Sequence, residues 1–178
     1  MINLTLDTSC FEKNSVELIK ELKTLENRGI KVWHELYSEI ETDRWINKGK
    51  DEIKELFHSH SNVKLDSSFI PSDIQEPQEI LKFLEQKQGY TLDELHKVHV
   101  KIDRILHSEG FHGKNIRNKY IDGKLLAKHI VRKRDIFVTK DYGFIKNNKK
   151  EKLEREFPNI KIRILDVDFI KELKESLS

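Results

Sequence analysis

A chain of 178 residues suits one domain, with room for an insertion. Its residues are 37% hydrophobic and 36% charged, enough for one core under a densely ionic surface, and 33 Lys and Arg against 31 Asp and Glu leave a formal charge of +2. No apolar run approaches the ~20 residues of a membrane span, Asp7 interrupts the N-terminal apolar stretch before a signal core forms, and the single cysteine excludes an internal disulfide, so a reducing cytoplasm is the expected setting.

In chain order, residues 2–6 read as a buried strand. Asn14 or Ser15 suits the cap of a helix to about Asn27, with Val16, Leu18, Ile19, Leu22 and Leu25 near helical spacing, and Arg28-Gly29 ends it. Ile30 to Glu35 reads as a second strand. A helix from about Tyr37 to Phe57 follows, with a break near Asn47-Lys48-Gly49. Pro71 and Pro77 punctuate a linker into a helix from Gln78 to Gln86, and Gly89 interrupts it. Thr91 with Glu94 forms a capping box for a long helix to about Ser108.

Residues 110–118 read as a loop carrying glycine and lysine. From Tyr120 to Lys133 the pattern is helical, with Ile121, Leu125, Leu126, His129 and Ile130 on one face. The remaining elements are a strand at 136–139, a charged helix from Lys149 to Phe157 stopped by Pro158, a strand from Ile160 to Leu165, and a helix at 169–176 capped by Asp166 or Asp168. Strands alternating with helices predict a single α/β domain over 1–178 with a mostly parallel sheet. The largely helical stretch 42–110 is expected to form an insertion on it.

Ligands of open parallel sheets bind at the carboxyl ends of the strands. Asp7 directly follows the first strand, and Asp141 follows the strand 136–139. Helices between parallel strands begin at that same edge, which brings in Glu39 early in the second helix and Asp122 at the start of the helix before strand 136–139. Four carboxylates without internal cations repel one another, so such a cluster is suited to a hard divalent cation with oxygen ligands. Mg²⁺ or Mn²⁺ there would favour phosphate chemistry.

Each acid also has a plainer role. Asp7 suits a turn or helix cap, Asp122 a favourable charge at a helix N-terminus, and Asp141 the opening of a turn with Tyr142-Gly143. Glu39 competes with Glu35, Glu41 and Asp43. Charge is uneven: Lys114 to Arg134 holds eight Lys or Arg and one acid, while Asp66 to Gly110 holds nine acids and five bases. The basic segment, with Lys114, Arg117, Lys119, Lys124 and Lys128, suits a polyanion partner, such as a phosphodiester backbone; its alternative is a solvated helix face.

With these residues in place the chain resembles the PIN-domain family. INLTLDTS ends its strand on Asp7, YSEIE carries Glu39, YIDGKLLAKHI carries Asp122, and IFVTKDYGF carries Thr139 and Asp141. The likeness covers about 1–45 and 112–166 and lies in the ordered set, since no one motif is specific. It implies a PIN-like three-layer α/β/α fold with four or five strands. It implies Mg²⁺- or Mn²⁺-dependent ribonuclease activity, with Asp7, Glu39, Asp122 and Asp141 as catalytic metal ligands and Ser9 and Thr139 as supports. Many small members are toxins of toxin–antitoxin pairs and dimerise, so an antitoxin and a homodimer are implied partners. The stretch 42–110 is longer than in compact toxins. A catalytically inactive RNA-binding or scaffold protein is the alternative reading.

Other groupings are weaker. His96, His99, Asp103 and His107 follow one another along the long helix and offer a metal face, although His99 also borders its apolar stripe. Cys10 reads as a small buried residue, and Trp33 and Trp45 as packing residues. An aspartyl-phosphate mechanism would need an acid two residues after Asp7, where Ser9 stands.

Overall fold

The structure is a computed structural model that describes residues 1–11, 13–33, 89–108 and 116–177; the side chains of residues 13 and 116–120 lie outside that description. Glu39, Trp45, Lys114 and most of the 42–110 insertion fall outside it. Within it, the elements in chain order are β1 (Ile2–Leu6), α1 (Val16–Glu26), β2 (Ile30–Trp33), α2 (Leu92–Leu106), α3 (Ile116–Val131), β3 (Ile136–Thr139), α4 (Lys149–Glu156), β4 (Lys161–Ile164) and α5 (Val167–Ser176). Short 3₁₀ turns follow β1 and β3.

The four strands form one sheet in the order β2-β1-β3-β4, every pair parallel. Alternation along the strands sends side chains to two separate cores. On one face Leu4, Leu6, Val32 and Val138 pack with Ile19, Leu22 and Leu25 of α1 and Phe169, Ile170 and Leu173 of α5. On the other, Phe137 and Ile162 pack with Leu95, Ile102 and Leu106 of α2, Leu125 and Leu126 of α3 and Leu153 of α4. Helices therefore cover both faces of an all-parallel sheet, as the alternation of elements predicts. Among the described residues no helix is long and apolar enough to cross a membrane.

The helix ends follow the capping chemistry. Thr91 Oγ1 accepts from the Glu94 N–H at 3.1 Å while Glu94 Oε2 accepts from the Thr91 N–H at 2.8 Å, a complete capping box. These bonds hold the exposed Glu94 carboxyl below its ordinary range. Asp166 rather than Asp168 caps α5, accepting from the Phe169 N–H at 2.8 Å. At the end of α3, Lys133 takes a left-handed conformation (φ 53°). The Lys133 N–H bonds Ile130 O and the Arg134 N–H bonds His129 O, a Schellman closure.

One boundary departs from expectation. Helix α3 begins at Ile116, inside what reads as a loop, so Asp122 lies in its second turn and not at its start. Asn118 weakens local helix propensity, but the packed stripe of Ile121, Leu125 and Leu126 carries the helix back past it. Asp122 therefore does not act as a first-turn charge.

Candidate functional site

Because every strand points the same way, Asp7 and the Thr139–Asp141 segment emerge side by side from the two central strands. The Asp7 N–H bonds Val138 O at 2.8 Å, which continues the β1–β3 pairing one residue beyond β1. Cys10 is buried beside them, its thiol donating to Val138 O.

The Asp7 carboxylate is buried within a ring of donors. Oδ1 accepts from the Thr8 N–H at 2.8 Å; Oδ2 accepts from Ser9 Oγ at 2.6 Å and from Thr139 Oγ1 at 2.7 Å. Both hydroxyls also accept from the β3 side: Ser9 Oγ from the Lys140 N–H at 2.8 Å, and Thr139 Oγ1 from the Asp141 N–H at 2.9 Å. The spacing Thr-x-Asp thus has a physical content, since one hydroxyl grips the first acid and fixes the backbone of the second. The Lys140 side chain turns away to Asn14 and Ser15.

Burial pushes the Asp7 carboxyl above its ordinary range. The three hydrogen bonds oppose that shift, and the charge of Asp141 adds to it. Asp141 itself is exposed and opens the 3₁₀ turn Tyr142–Phe144, with Oδ1 accepting from the Gly143 N–H at 2.7 Å. The turn-opening role expected as its alternative is therefore real, and it leaves Oδ2 outside that bond.

Asp141 and Asp122 line one cavity of about 380 Å³, together with His107, Asn147, Lys149 and Lys152, over a floor that includes Leu106 and Phe144. Asp7 stands behind this wall and does not line it. Among the described residues, no group of three or more His, Cys, Asp or Glu side chains is arranged to hold a metal ion. The structure thus places Asp122 and Asp141 in the lining of one cavity and links Asp7 to Asp141 through Thr139. Glu39 is outside the described residues. Of the basic segment, Lys124 and Lys128 are half-buried on α3, and Arg117 and Lys119 belong to α3 with side chains not described.

The histidines of α2 differ in burial. His96 is exposed, whereas His99 is buried with Nε2 3.5 Å from Asp103 Oδ2. Burial raises the Asp103 carboxyl, opposed by the positive potential of His99 and His107. A Cβ at Gly123 would lie 2.7 Å from Asp103 Oδ1 and 3.1 Å from His99 Nε2, so a larger residue here would force those side chains to shift. Gly123→Val is expected to cost about 2 kcal/mol through overpacking, despite the gain in helix propensity over glycine. Urea unfolding at constant slope would check it; an unchanged midpoint would mean the helices yield easily.

No family model matches this chain, and neither does any curated protein or solved structure. Sequence reasoning missed Lys149 and Lys152 as members of the cavity, because they read only as part of a charged helix. The available signal was Asn147-Asn148, both left-handed (φ 58° and 57°), which turn the chain so that α4 starts beside Asp141.

Proposed function

We propose that this chain is a PIN-type ribonuclease that hydrolyses phosphodiester bonds of single-stranded or structured RNA with Mg²⁺ or Mn²⁺. The observation that carries the reading is that Asp122 and Asp141 line the same cavity, while Thr139 ties the Asp141 backbone to the buried Asp7 carboxylate. The donor set fits such an ion, which is commonly bound through one or two carboxylates, waters and substrate phosphate, not in an all-protein cage.

Asp122 and Asp141 would hold the ion, with Glu39 joining them on the strength of the resemblance. When bound, it would supply positive charge to the phosphoryl oxygens and acidify water. Ser9 and Thr139 fix the Asp7 carboxylate, and Asp7 sets the local negative potential behind the wall. A protein antitoxin, a homodimer and a cytoplasmic setting belong to the same proposal.

A second reading has an observation in its favour. Asp7 is turned inward to hydroxyls and does not line the cavity, as suits an inactive RNA-binding or scaffold protein. Incubating the purified protein with single-stranded RNA and Mn²⁺, with and without chelator, separates the two. Cleavage that stops on chelation, and that slows about 100-fold in Asp141→Asn, is expected. Equal degradation by both proteins, indifferent to chelator, would sink the nuclease; RNA binding without cleavage would favour the second reading.

A further inference from the structure

The lining of the cavity carries both signs of charge. Asp122 and Asp141 alone would repel a phosphodiester, yet Lys149 and Lys152 face the same space from α4. Their i, i+3 spacing puts both on one side of the first turn of that helix. Lys97, Lys101, Lys171 and Lys174 each have a carboxylate within 4 Å, whereas among the described residues Lys149 and Lys152 make no ion pair and no side-chain hydrogen bond. Two ammonium groups without a direct ion pair therefore share a cavity of about 380 Å³ with two carboxylates.

The rim adds an aromatic. Tyr142 sits between Asp141 and Gly143, both of which line the cavity, and it is 58% exposed. Among the described residues its ring has no stacking or cationic neighbour, while Phe137 and Phe144 below it pack against each other. Lysines beside an exposed ring suit a single strand, because the ammonium groups take the phosphate and the ring takes an unstacked base.

We infer that the α4 wall is the single-strand RNA subsite of this cavity: Lys149 and Lys152 grip the backbone phosphate beside Asp122 and Asp141, and Tyr142 stacks on an adjoining base. This deepens the ribonuclease reading and rests on it for the identity of the polyanion. The subsite lies on α4 and the turn after β3, outside the basic segment 114–134, and it makes the preference for unpaired RNA a property of one side chain. Duplex RNA offers the lysines the same phosphates but keeps its bases stacked away from Tyr142.

The test measures binding and cleavage separately. A fluorescein-labelled oligouridylate of about ten nucleotides is titrated by anisotropy in Ca²⁺ at several salt concentrations, and cleavage is followed in Mn²⁺. Lys149→Ala/Lys152→Ala is expected to bind at least about tenfold more weakly, with a salt slope shallower by about 1.4. The charge-matched pair Lys171→Ala/Lys174→Ala, on α5 across the sheet, should bind as wild type. Tyr142→Ala should weaken the single strand about tenfold and spare a duplex, and Tyr142→Phe should restore binding.

If the lysine and tyrosine effects appear but the wild type never cleaves, the subsite stands and the nuclease reading falls. If the wild type cleaves and the Lys149/Lys152 variant binds like the control, the subsite falls and the nuclease stands. Equal loss of duplex and single-strand binding in Tyr142→Ala overturns the stacking role. A wild type that neither binds nor cleaves RNA overturns both.

Discussion

Between pH 6.5 and about pH 4 the protein is expected to lose on the order of 3 kcal/mol of stability through His129 alone. This ring, on α3, has no exposed surface; Nδ1 lies 2.9 Å from Thr5 Oγ1, and the ring meets Phe137 edge-on with centroids 5.5 Å apart. Arg134, itself buried, donates to the same Thr5 hydroxyl at 3.0 Å and lies 4.5 Å from the centre of the Trp33 ring. Burial, and then the charge of Arg134, push the His129 pKa down from 6.5 to about 3. The folded value is below the unfolded one, so in that window the unfolded chain binds a proton that the native state refuses. Stability contributed by the neutral ring is complete above pH 6.5 and falls as pH drops toward 3.

Removing the ring tests this cleanly. His129→Leu keeps an apolar side chain against Phe137 and leaves Thr5 its bond to Arg134. Urea unfolding from about pH 7 to about pH 4 should show wild type losing about 1.4 kcal/mol per pH unit more steeply than the variant. Parallel stability curves would refute the assignment of this proton to His129.

Asp7→Asn is expected to move stability and activity in opposite directions. The raised carboxyl means that the native state holds the Asp7 proton more tightly than the unfolded chain does. Stability therefore declines as pH rises through the window above 3.8, and the ionised carboxylate is a liability at neutral pH. The amide is nearly isosteric, keeps an oxygen for the Thr8 N–H, and places donors before the Ser9 and Thr139 hydroxyls. A gain of about 1 kcal/mol, roughly 2–4 °C in Tm, is the expected result at neutral pH. Under the ribonuclease proposal, Mn²⁺-dependent cleavage should fall by about 100-fold or more. A variant that melts lower than wild type would show that the hydroxyls need a carboxylate more than burial opposes it.

The sheet was legible because INLTL and IFVT are short, continuous apolar runs bounded by polar residues, which local pattern alone identifies. Asp7 and Asp141 on one edge then follow from parallel topology, as the register of β1 with β3 bears out. Contacts between helices were not legible. Nothing local says that Gly123 lies against Asp103, or that two left-handed asparagines bring Lys149 to Asp122's cavity. The start of α3 was misread because packing of its apolar stripe outweighs the poor propensities before it. Ser9 and Thr139 both bond Asp7, although their spacing from the acids was interpretable only through the family resemblance.

The bond from Thr139 to Asp7 spans 132 positions of sequence. A growing polypeptide displays its first strand early, but the carboxylate after it has no partner on β3 until residue 139 has left the ribosome. Assembly of this edge is thus timed by translation: a partly made chain holds the acid without the hydroxyl that orients it.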